Sequence, residues 1–238
     1  MWLNKDQITP SALRSYRKAL LHASPNHVVI DNLFDNQKLD TVISVLQQEA
    51  HWQSQKHTYE ALYVDNTKWL QTQQEDRFVK RDYWQPKANN TDDTTTIALD
   101  FLTYLRSNEF MALLSRIFKV SLTDINVANP AINTNYFRLA ATDFVKLHAD
   151  DSPGREVCML LYLNKNWSNC ANNSSDNSKG GELIFKGTNN TPIRIAPLYN
   201  RCVLFDPSST GSEHWVNPVT TGSKQQYRYN ITSWYWSE

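Results

Sequence analysis

The feature that most constrains the fold of this chain is a change in its hydrophobic pattern at about residue 122. Beyond that point the apolar segments are short, rich in β-branched and aromatic residues, and separated by turn residues, which is typical of strands. They span residues 135–139, 144–149, 157–163, 182–186, 191–195, 201–205 and 229–236. No helical patterns alternate with them, so we predict an all-β half built as a sandwich or jelly roll.

The N-terminal half instead shows the periodicity of amphipathic helices. Thr9 offers a capping side chain and Pro10 suits the first helical position, so a helix is predicted to begin there. Further helices are predicted at about 39–46, 97–105 and 110–117, and a short strand at 27–30. From about Gln53 to Asn90 the chain is polar but studded with aromatic residues, and we predict an irregular region with a few short strands and a long loop.

The length of 238 residues, with 40% hydrophobic residues, is enough for one sizeable core. No linker or internal repeat divides the chain. We therefore expect a single domain of the α+β class over residues 1–238. In it, residues 1–122 form a helical and irregular N-terminal support, and residues 123–238 form the jelly-roll core.

Charge and cysteine content disfavour several classes of function. Lys and Arg total 24 and Asp and Glu total 24, so no field of one sign attracts nucleic acid or an anionic membrane. Nowhere do about 18 apolar residues run together, and the start lacks the pattern of an export signal. The cysteines, Cys158, Cys170 and Cys202, are odd in number and lack CxxC spacing. We expect a soluble, cytoplasmic protein with no nucleic-acid or membrane partner.

A candidate metal site begins in the segment that ends at Asp150. Alternation along a strand places His148 and Asp150 on one face and Asp151 on the other. His214, from a different segment, is the candidate third ligand, because two imidazoles and one carboxylate suit a divalent first-row metal with open positions opposite. An HxD pair alone is a weak signal. The remaining histidines have no paired ligand nearby in the sequence.

The last predicted strand carries an unusual row of side chains. Alternation aligns Arg228, Asn230, Thr232 and Trp234 on one face of an otherwise apolar segment. A core-facing arginine is costly unless an anion meets it, and a guanidinium is shaped to hold a carboxylate. A dicarboxylate co-substrate would supply that anion. The alternatives are an internal partner such as Asp206 or a solvent-facing Arg228, and Trp234 is expected to be core wall rather than a contact.

Together these residues resemble the Fe(II)- and 2-oxoglutarate-dependent dioxygenases, and within them the prolyl hydroxylases, including the hypoxia-sensing enzymes and their bacterial relatives. The resemblance runs from about Asn135 to Trp236. The blocks that carry it are DFVKLHAD (143–150), LYLNKNW (161–167), GGELIF (180–185), RCVLF (201–205), HWVNP (214–218) and RYNITSW (228–234). It implies a double-stranded β-helix, which is a jelly roll.

The resemblance also implies roles for individual residues. His148, Asp150 and His214 would be the iron ligands, and Arg228 would bind the distal carboxylate of 2-oxoglutarate. Tyr162 and Thr232 would lie near that same carboxylate, and Leu160 and Leu183 would line the co-substrate slot. The spacing from His214 to Arg228 is longer than is usual in the family, which leaves Lys224 as a rival cation. We prefer Arg228, because the strand pattern that follows it matches without a gap.

The implied activity is hydroxylation of an unactivated C–H bond with Fe(II) and 2-oxoglutarate, yielding succinate and CO₂, with ascorbate as an open candidate reductant. The expected substrate is a prolyl residue of an intracellular protein. The alternatives are a free amino acid or other small molecule, or a non-catalytic jelly-roll binding module. A zinc hydrolase is disfavoured because no HExxH motif is present. The aromatic stretch from Tyr59 to Trp84 is predicted to act as a lid over the substrate.

Overall fold

A computed structural model describes residues 1–86, 93–125, 127, 130–165, 167, 180–189, 191–220 and 226–237. Its helices are α1 (Pro10–His22), α2 (Asn36–Leu46), α3 (Asn66–Gln71), α4 (Asp93–Leu105) and α5 (Asn108–Phe118). Its strands are β1 (His27–Asp31), β2 (Trp52–Thr58), β3 (Arg77–Trp84), β4 (Thr134–Leu139), β5 (Phe144–His148), β6 (Arg155–Tyr162), β7 (Leu183–Phe185), β8 (Ile193–Ile195), β9 (Arg201–Phe205), β10 (His214–Val216) and β11 (Arg228–Trp236).

The helices begin at capping side chains, as the sequence predicts. The hydroxyl of Thr9 accepts a hydrogen bond from the backbone N–H of Ala12 at the start of α1. Asp35 caps α2 and Ser107 caps α5 in the same way. α1 packs on β1 and α5, and α2 packs on α4. Their apolar faces form one cluster with side chains of β4, β6, β9 and β11, so the helices lie against one side of the sheet.

The strands form one curled, antiparallel sheet in the order β1-β9-β6-β11-β4-β3-β5-β10-β7-β8, with β2 on the other edge of β3. The curl arises at β3, which pairs with two successive strands along one edge. Asp82 and Tyr83 pair with β4, while Val79 and Lys80 pair with β5. This architecture confirms the predicted α+β jelly roll. None of the helices in the described ranges is long and apolar enough to span a bilayer.

The prediction of a few short strands within residues 53–90 was correct, but it missed their regular pairing and the helix α3. β2 and β3 form a regular hairpin in which Gln55 lies opposite Arg81, and α3 lies between the two strands. Their inward-facing row includes Gln55, His57 and Arg81, which border a cavity rather than an apolar core. After Trp52 the residues of β2 are polar on both faces, so the hydrophobic alternation that normally reveals a strand is absent there. Residues 87–90 lie outside the described ranges. β10 was not predicted as a strand either.

Asn200 joins the helical layer to the sheet. It is fully buried and left-handed, with φ of 52°. Its side-chain amide donates to the carbonyl of Phe34 and to Oδ1 of Asn36, both at 2.7 Å, and its own Oδ1 accepts from the N–H of Phe34 at 3.2 Å. The side chain of Asn200 thus satisfies buried hydrogen-bonding groups in the segment that joins β1 to α2.

Replacing Asn200 by Ala is expected to lower the free energy of unfolding by about 2–4 kcal/mol, because buried partners lose their hydrogen bonds. Asn189→Ala is the matched control, since Asn189 is also left-handed, with φ of 56°, but exposed. Both substitutions place Ala at a left-handed position, so the backbone strain that they introduce is similar. Urea unfolding measures the difference, and equal losses in the two variants would contradict the assigned role.

Candidate active site

The curled sheet encloses a cavity of about 880 Å³, a size typical of small-molecule sites. Apolar, polar and charged side chains share its walls. The charged or imidazole side chains among them are His57, Arg81, His148, Asp150, Arg155, His214 and Arg228.

The three side chains predicted as metal ligands meet at one end of this cavity. His148 ends β5, Asp150 follows two residues later, and His214 begins β10 directly opposite His148. Nε2 of each imidazole lies 3.7 Å from a different carboxylate oxygen of Asp150. The candidate ligand atoms all lie within 4.8 Å of one another. Antiparallel pairing of β5 with β10 therefore brings together residues that are far apart in sequence.

The backbone orients both imidazoles. Nδ1 of His148 lies 2.9 Å from the carbonyl of Lys146, and Nδ1 of His214 lies 2.9 Å from the carbonyl of Ser212. A carbonyl only accepts, so in the neutral ring each Nδ1 carries the proton and donates it. Each Nε2 lone pair is then free and directed toward Asp150. Histidines that bind a metal typically donate the N–H of their other ring nitrogen to a carbonyl or carboxylate in this way.

Burial and neighbouring groups keep His148 and Asp150 in the protonation states that bind a metal at neutral pH. Burial, followed by the neighbouring His214, lowers the pKa of His148 to about 4, so its imidazole is neutral. Burial alone would raise the pKa of Asp150, but His214, His148 and the indole of Trp234 hold it below its usual value. The cluster thus offers neutral imidazole and ionised carboxylate, the donor set that suits ferrous iron with open coordination positions.

Trp234 contacts the triad directly, which the sequence did not predict. Its indole N–H donates to Oδ2 of Asp150 at 3.0 Å. The ring also packs against the apolar cluster around Leu160, as expected for core wall. Trp234 therefore has two roles, and its parity with Arg228 on β11 was the signal that could have placed it at the site.

Arg228 faces the cavity from the start of β11 and is 1% exposed. Nε donates to the carbonyl of Gly181 at 2.7 Å, and Nη1 donates to Oδ1 of Asn230 at 2.6 Å. Nη2 is buried without a partner among the described residues. Arg228 forms no ion pair with a described carboxylate, and the Asp206 carboxylate instead accepts from Ser208. Lys224 lies outside the described residues.

The close approach of Gly181 to Arg228 requires glycine. Gly181 has φ of +76°, and a Cβ there would lie 3.0 Å from Cδ of Arg228. The glycine in the GGELIF block thus leaves room for the guanidinium.

The other predicted co-substrate residues lie around Arg228. The amide of Asn230 donates to Oγ1 of Thr232 at 3.1 Å, so the alternate residues of β11 form a chain of hydrogen bonds. The guanidinium carbon of Arg228 lies 4.9 Å from the ring centre of Tyr162. The hydroxyl of Tyr162 is buried and lacks a partner in the described part of the chain, but Tyr162 does not border the cavity. Leu160 and Leu183 are buried and do border it.

The free Nη2 of Arg228 and the free hydroxyl of Tyr162 are both hydrogen-bond donors, so together they could bind a carboxylate. A bound carboxylate would also recover the free energy that buried groups lose when they lack a hydrogen-bond partner. The donor set of the triad and the donor pair at the far end of β11 thus suit Fe(II) and a diacid.

A family comparison points in the same direction as the fold and this site. Residues 134–236 match the model of the 2OG-Fe(II) oxygenase superfamily. This part of the chain, a little under half of it, is thus similar to a superfamily whose name specifies iron(II) and 2-oxoglutarate.

Several of the proteins to which the chain is similar are prolyl hydroxylases. Prolyl 3-hydroxylase OGFOD1 of Mus musculus is 27% identical over 156 residues, covering 63% of this chain and 26% of that protein. The chain thus spans about a quarter of the length of this curated relative. Two solved structures share the fold. A Pseudomonas putida prolyl-4-hydroxylase has a TM-score of 0.61 at 12% identity, covering 94% of this chain and 98% of that one. A Trichoplax adhaerens prolyl hydroxylase, in complex with a peptide fragment of hypoxia inducible factor, has a TM-score of 0.59 at 18% identity, covering 96% and 94%.

Proposed function

We propose that the protein hydroxylates a C–H bond of its substrate, with His148, Asp150 and His214 holding Fe(II) and Arg228 holding the distal carboxylate of 2-oxoglutarate. The overall reaction consumes substrate, O₂ and 2-oxoglutarate and yields hydroxylated substrate, succinate and CO₂. One observation carries the proposal: the triad shares its cavity with a buried guanidinium that no described carboxylate pairs. Iron with 2-oxoglutarate would supply the oxidising chemistry, with one oxygen atom of O₂ entering the hydroxylated substrate and the other entering succinate.

The protein's own side chains prepare this chemistry. The backbone carbonyls of Lys146 and Ser212 fix the imidazole tautomers. Thr232, whose hydroxyl accepts from the amide of Asn230, and Tyr162, which lies against Arg228, would support the carboxylate that Arg228 binds. The apolar side chains of Leu160 and Leu183 exclude water from the slot between the two ends.

We propose a prolyl residue of an intracellular protein as the substrate, which the prolyl hydroxylase relatives support. The alternative is a free amino acid or another small molecule, because fold and site alone do not fix the substrate. A non-catalytic binding module is disfavoured, since the donor atoms of the triad are all in place. Cytoplasmic location is supported by the buried free thiols of Cys158 and Cys202.

Two experiments test the function. Anaerobic addition of Fe(II) and 2-oxoglutarate to the purified protein should produce a weak visible charge-transfer band, and O₂ should then convert 2-oxoglutarate into succinate. Incubation with a whole-cell protein extract, followed by mass mapping, should show one added oxygen atom on proline. No band would overturn the oxygenase site, whereas oxygen on another residue type would overturn only the prolyl substrate. Omitting ascorbate from the assay tests whether it is required.

Trp234→Phe is expected to weaken metal binding by roughly 10- to 100-fold, the usual effect of losing a hydrogen bond to a metal ligand. Phe keeps the packing but removes the N–H that reaches Asp150. Trp236→Phe is the control, because Trp236 is also half-buried on β11 but lies outside the cavity wall. Chelator competition for Fe(II) under anaerobic conditions measures both affinities. Equal values would contradict a role for Trp234 at the metal.

We propose that part of the predicted lid, residues 59–76, covers bound substrate, whereas residues 77–84 are fixed in the sheet as β3. Tyr59, Leu62 and Tyr63 border the cavity and are 55%, 63% and 66% exposed. A proline peptide that is oxidised by the enzyme should protect this segment from proteolysis in the presence of 2-oxoglutarate. Equal cleavage with and without the peptide would contradict the lid.

We also propose that residues 1–238 act as one domain, because helical and strand side chains share the largest apolar cluster.

A further inference from the structure

The hairpin of β2 and β3 forms a polar wall of the cavity that the proposed chemistry does not use. Gln55 and His57 lie on one face of β2, and Arg81 lies opposite Gln55 on β3. All three border the cavity. Gln55 and His57 are each 6% exposed. The wall therefore carries buried hydrogen-bonding groups that face the space where substrate would lie.

Arg81 is the principal cation of this wall. Its Nε donates to Oε1 of Gln55 at 2.7 Å, and its guanidinium carbon lies 3.6 Å above the ring centre of Phe137. In the described part of the chain, neither terminal nitrogen has a hydrogen-bond partner and no carboxylate forms an ion pair with Arg81. Burial lowers the pKa of Arg81 to about 10, so it stays charged at neutral pH. The guanidinium is thus held in place with its donors free.

His57 lies beside this cation. Both ring nitrogens are buried without a partner among the described residues. Burial and the charge of Arg81 lower the pKa of His57 to about 4. The neutral ring offers one N–H donor next to the guanidinium. Leaving these groups unpaired costs free energy, which a bound acceptor would recover.

The charges around the cavity indicate which acceptor fits. Among the described lining residues, Arg81, Arg155 and Arg228 face one carboxylate, Asp150. On the proposed function, the charges of Fe(II) and 2-oxoglutarate cancel, and the distal carboxylate of 2-oxoglutarate meets Arg228. Arg155 lies 3.9 Å from Oδ1 of Asp150. The described lining then keeps a surplus of two positive charges, although the whole chain has no net charge. Arg81 carries one of them, because it forms no ion pair with Asp150 and is not assigned to 2-oxoglutarate.

We propose that Arg81, with His57 beside it, binds a carboxylate of the primary substrate. This inference rests on the proposed function, because it assigns the diacid to Arg228. The carboxylate has two possible sources, an acidic side chain next to the oxidised residue in a peptide or the terminal carboxylate of a small substrate. In both cases Arg81 selects an anionic substrate and holds it on the wall formed by β2 and β3.

The test measures binding of matched acid and amide probes to the full chain loaded anaerobically with Fe(II) and 2-oxoglutarate. N-acetyl-proline and N-acetyl-prolinamide report on a terminal carboxylate. Capped Pro-Asp and Pro-Asn dipeptides, in both residue orders, report on a side-chain carboxylate. In at least one pair the acid is expected to bind on the order of tenfold more tightly, as for a charge-assisted hydrogen bond. The pair that shows this preference identifies the source.

Arg81→Gln should abolish the preference while leaving the affinity for 2-oxoglutarate unchanged, and Arg81→Lys should retain part of it. Arg77→Gln is the matched control, since Arg77 is on the same strand but outside the cavity wall. Thermal melting checks that each variant is folded. The inference is wrong if no pair shows a preference, or if Arg81→Gln weakens 2-oxoglutarate binding instead. Loss of the Fe(II)–2-oxoglutarate band in the wild-type protein would overturn the proposed function, which is a separate result.

Discussion

Asp150→Asn is expected to lower 2-oxoglutarate turnover by roughly a thousandfold or more, corresponding to about 4 kcal/mol of lost stabilisation. The substitution keeps the shape of the side chain and an oxygen that can accept from Trp234. It removes the only negative charge among the described lining residues, and that charge lies between the two imidazoles. A divalent ion then loses its anionic ligand, so metal affinity and turnover fall together.

Anaerobic titration with Fe(II) and succinate formation measure the two effects. Asp151→Asn is a matched control, because Asp151 is the next residue but is exposed and outside the cavity wall. It should bind iron and turn over 2-oxoglutarate like the wild type. Normal metal binding by the Asp150 variant would remove this carboxylate from the site and with it the proposed chemistry.

Arg228→Met should raise the KM for 2-oxoglutarate by about a hundredfold or more, because a buried carboxylate would lose charge-assisted hydrogen bonds worth about 3 kcal/mol. Metal binding in the absence of 2-oxoglutarate should change little, since Arg228 does not contact the triad. Arg228→Lys should give an intermediate KM, because an ammonium keeps the charge but lacks the planar fork.

Initial rates of succinate formation at varied 2-oxoglutarate concentrations measure this change. Arg194→Met is the control, since Arg194 is exposed on β8 and outside the cavity wall. An unchanged KM in the Arg228 variant would assign the co-substrate to another cation, with Lys224 the first to examine.

The jelly roll was predictable because most of its strands bury an apolar face, as in β6 and β9, where pattern and pairing agree. The proximity of His148, Asp150 and His214 was predictable from alternation and from the family resemblance. The hairpin of β2 and β3 was not, because its inward residues contact a polar cavity. A pattern that detects burial of apolar side chains has nothing to detect there.

Trp234 shows a second limit of sequence reasoning. Its ring packs against the apolar cluster around Leu160, and the hydrophobic character of Trp234 predicted this contact correctly. The hydrogen bond from its indole N–H to Asp150 was not predictable in this way, because it depends on the path of the chain after β5 ends. Such a contact joins two segments through one polar atom, and periodicity carries no information about it.

The double pairing of β3 couples the two walls of the cavity. Val79 and Lys80 pair with β5, the strand that ends at His148, and Arg81 follows immediately on β3. The hairpin is therefore joined by backbone pairing to the strand that carries His148. If the proposed function holds, we expect remodelling of this hairpin to change the metal site as well as substrate preference, whereas β8, at the far end of the sheet, is not paired with β3 or β5.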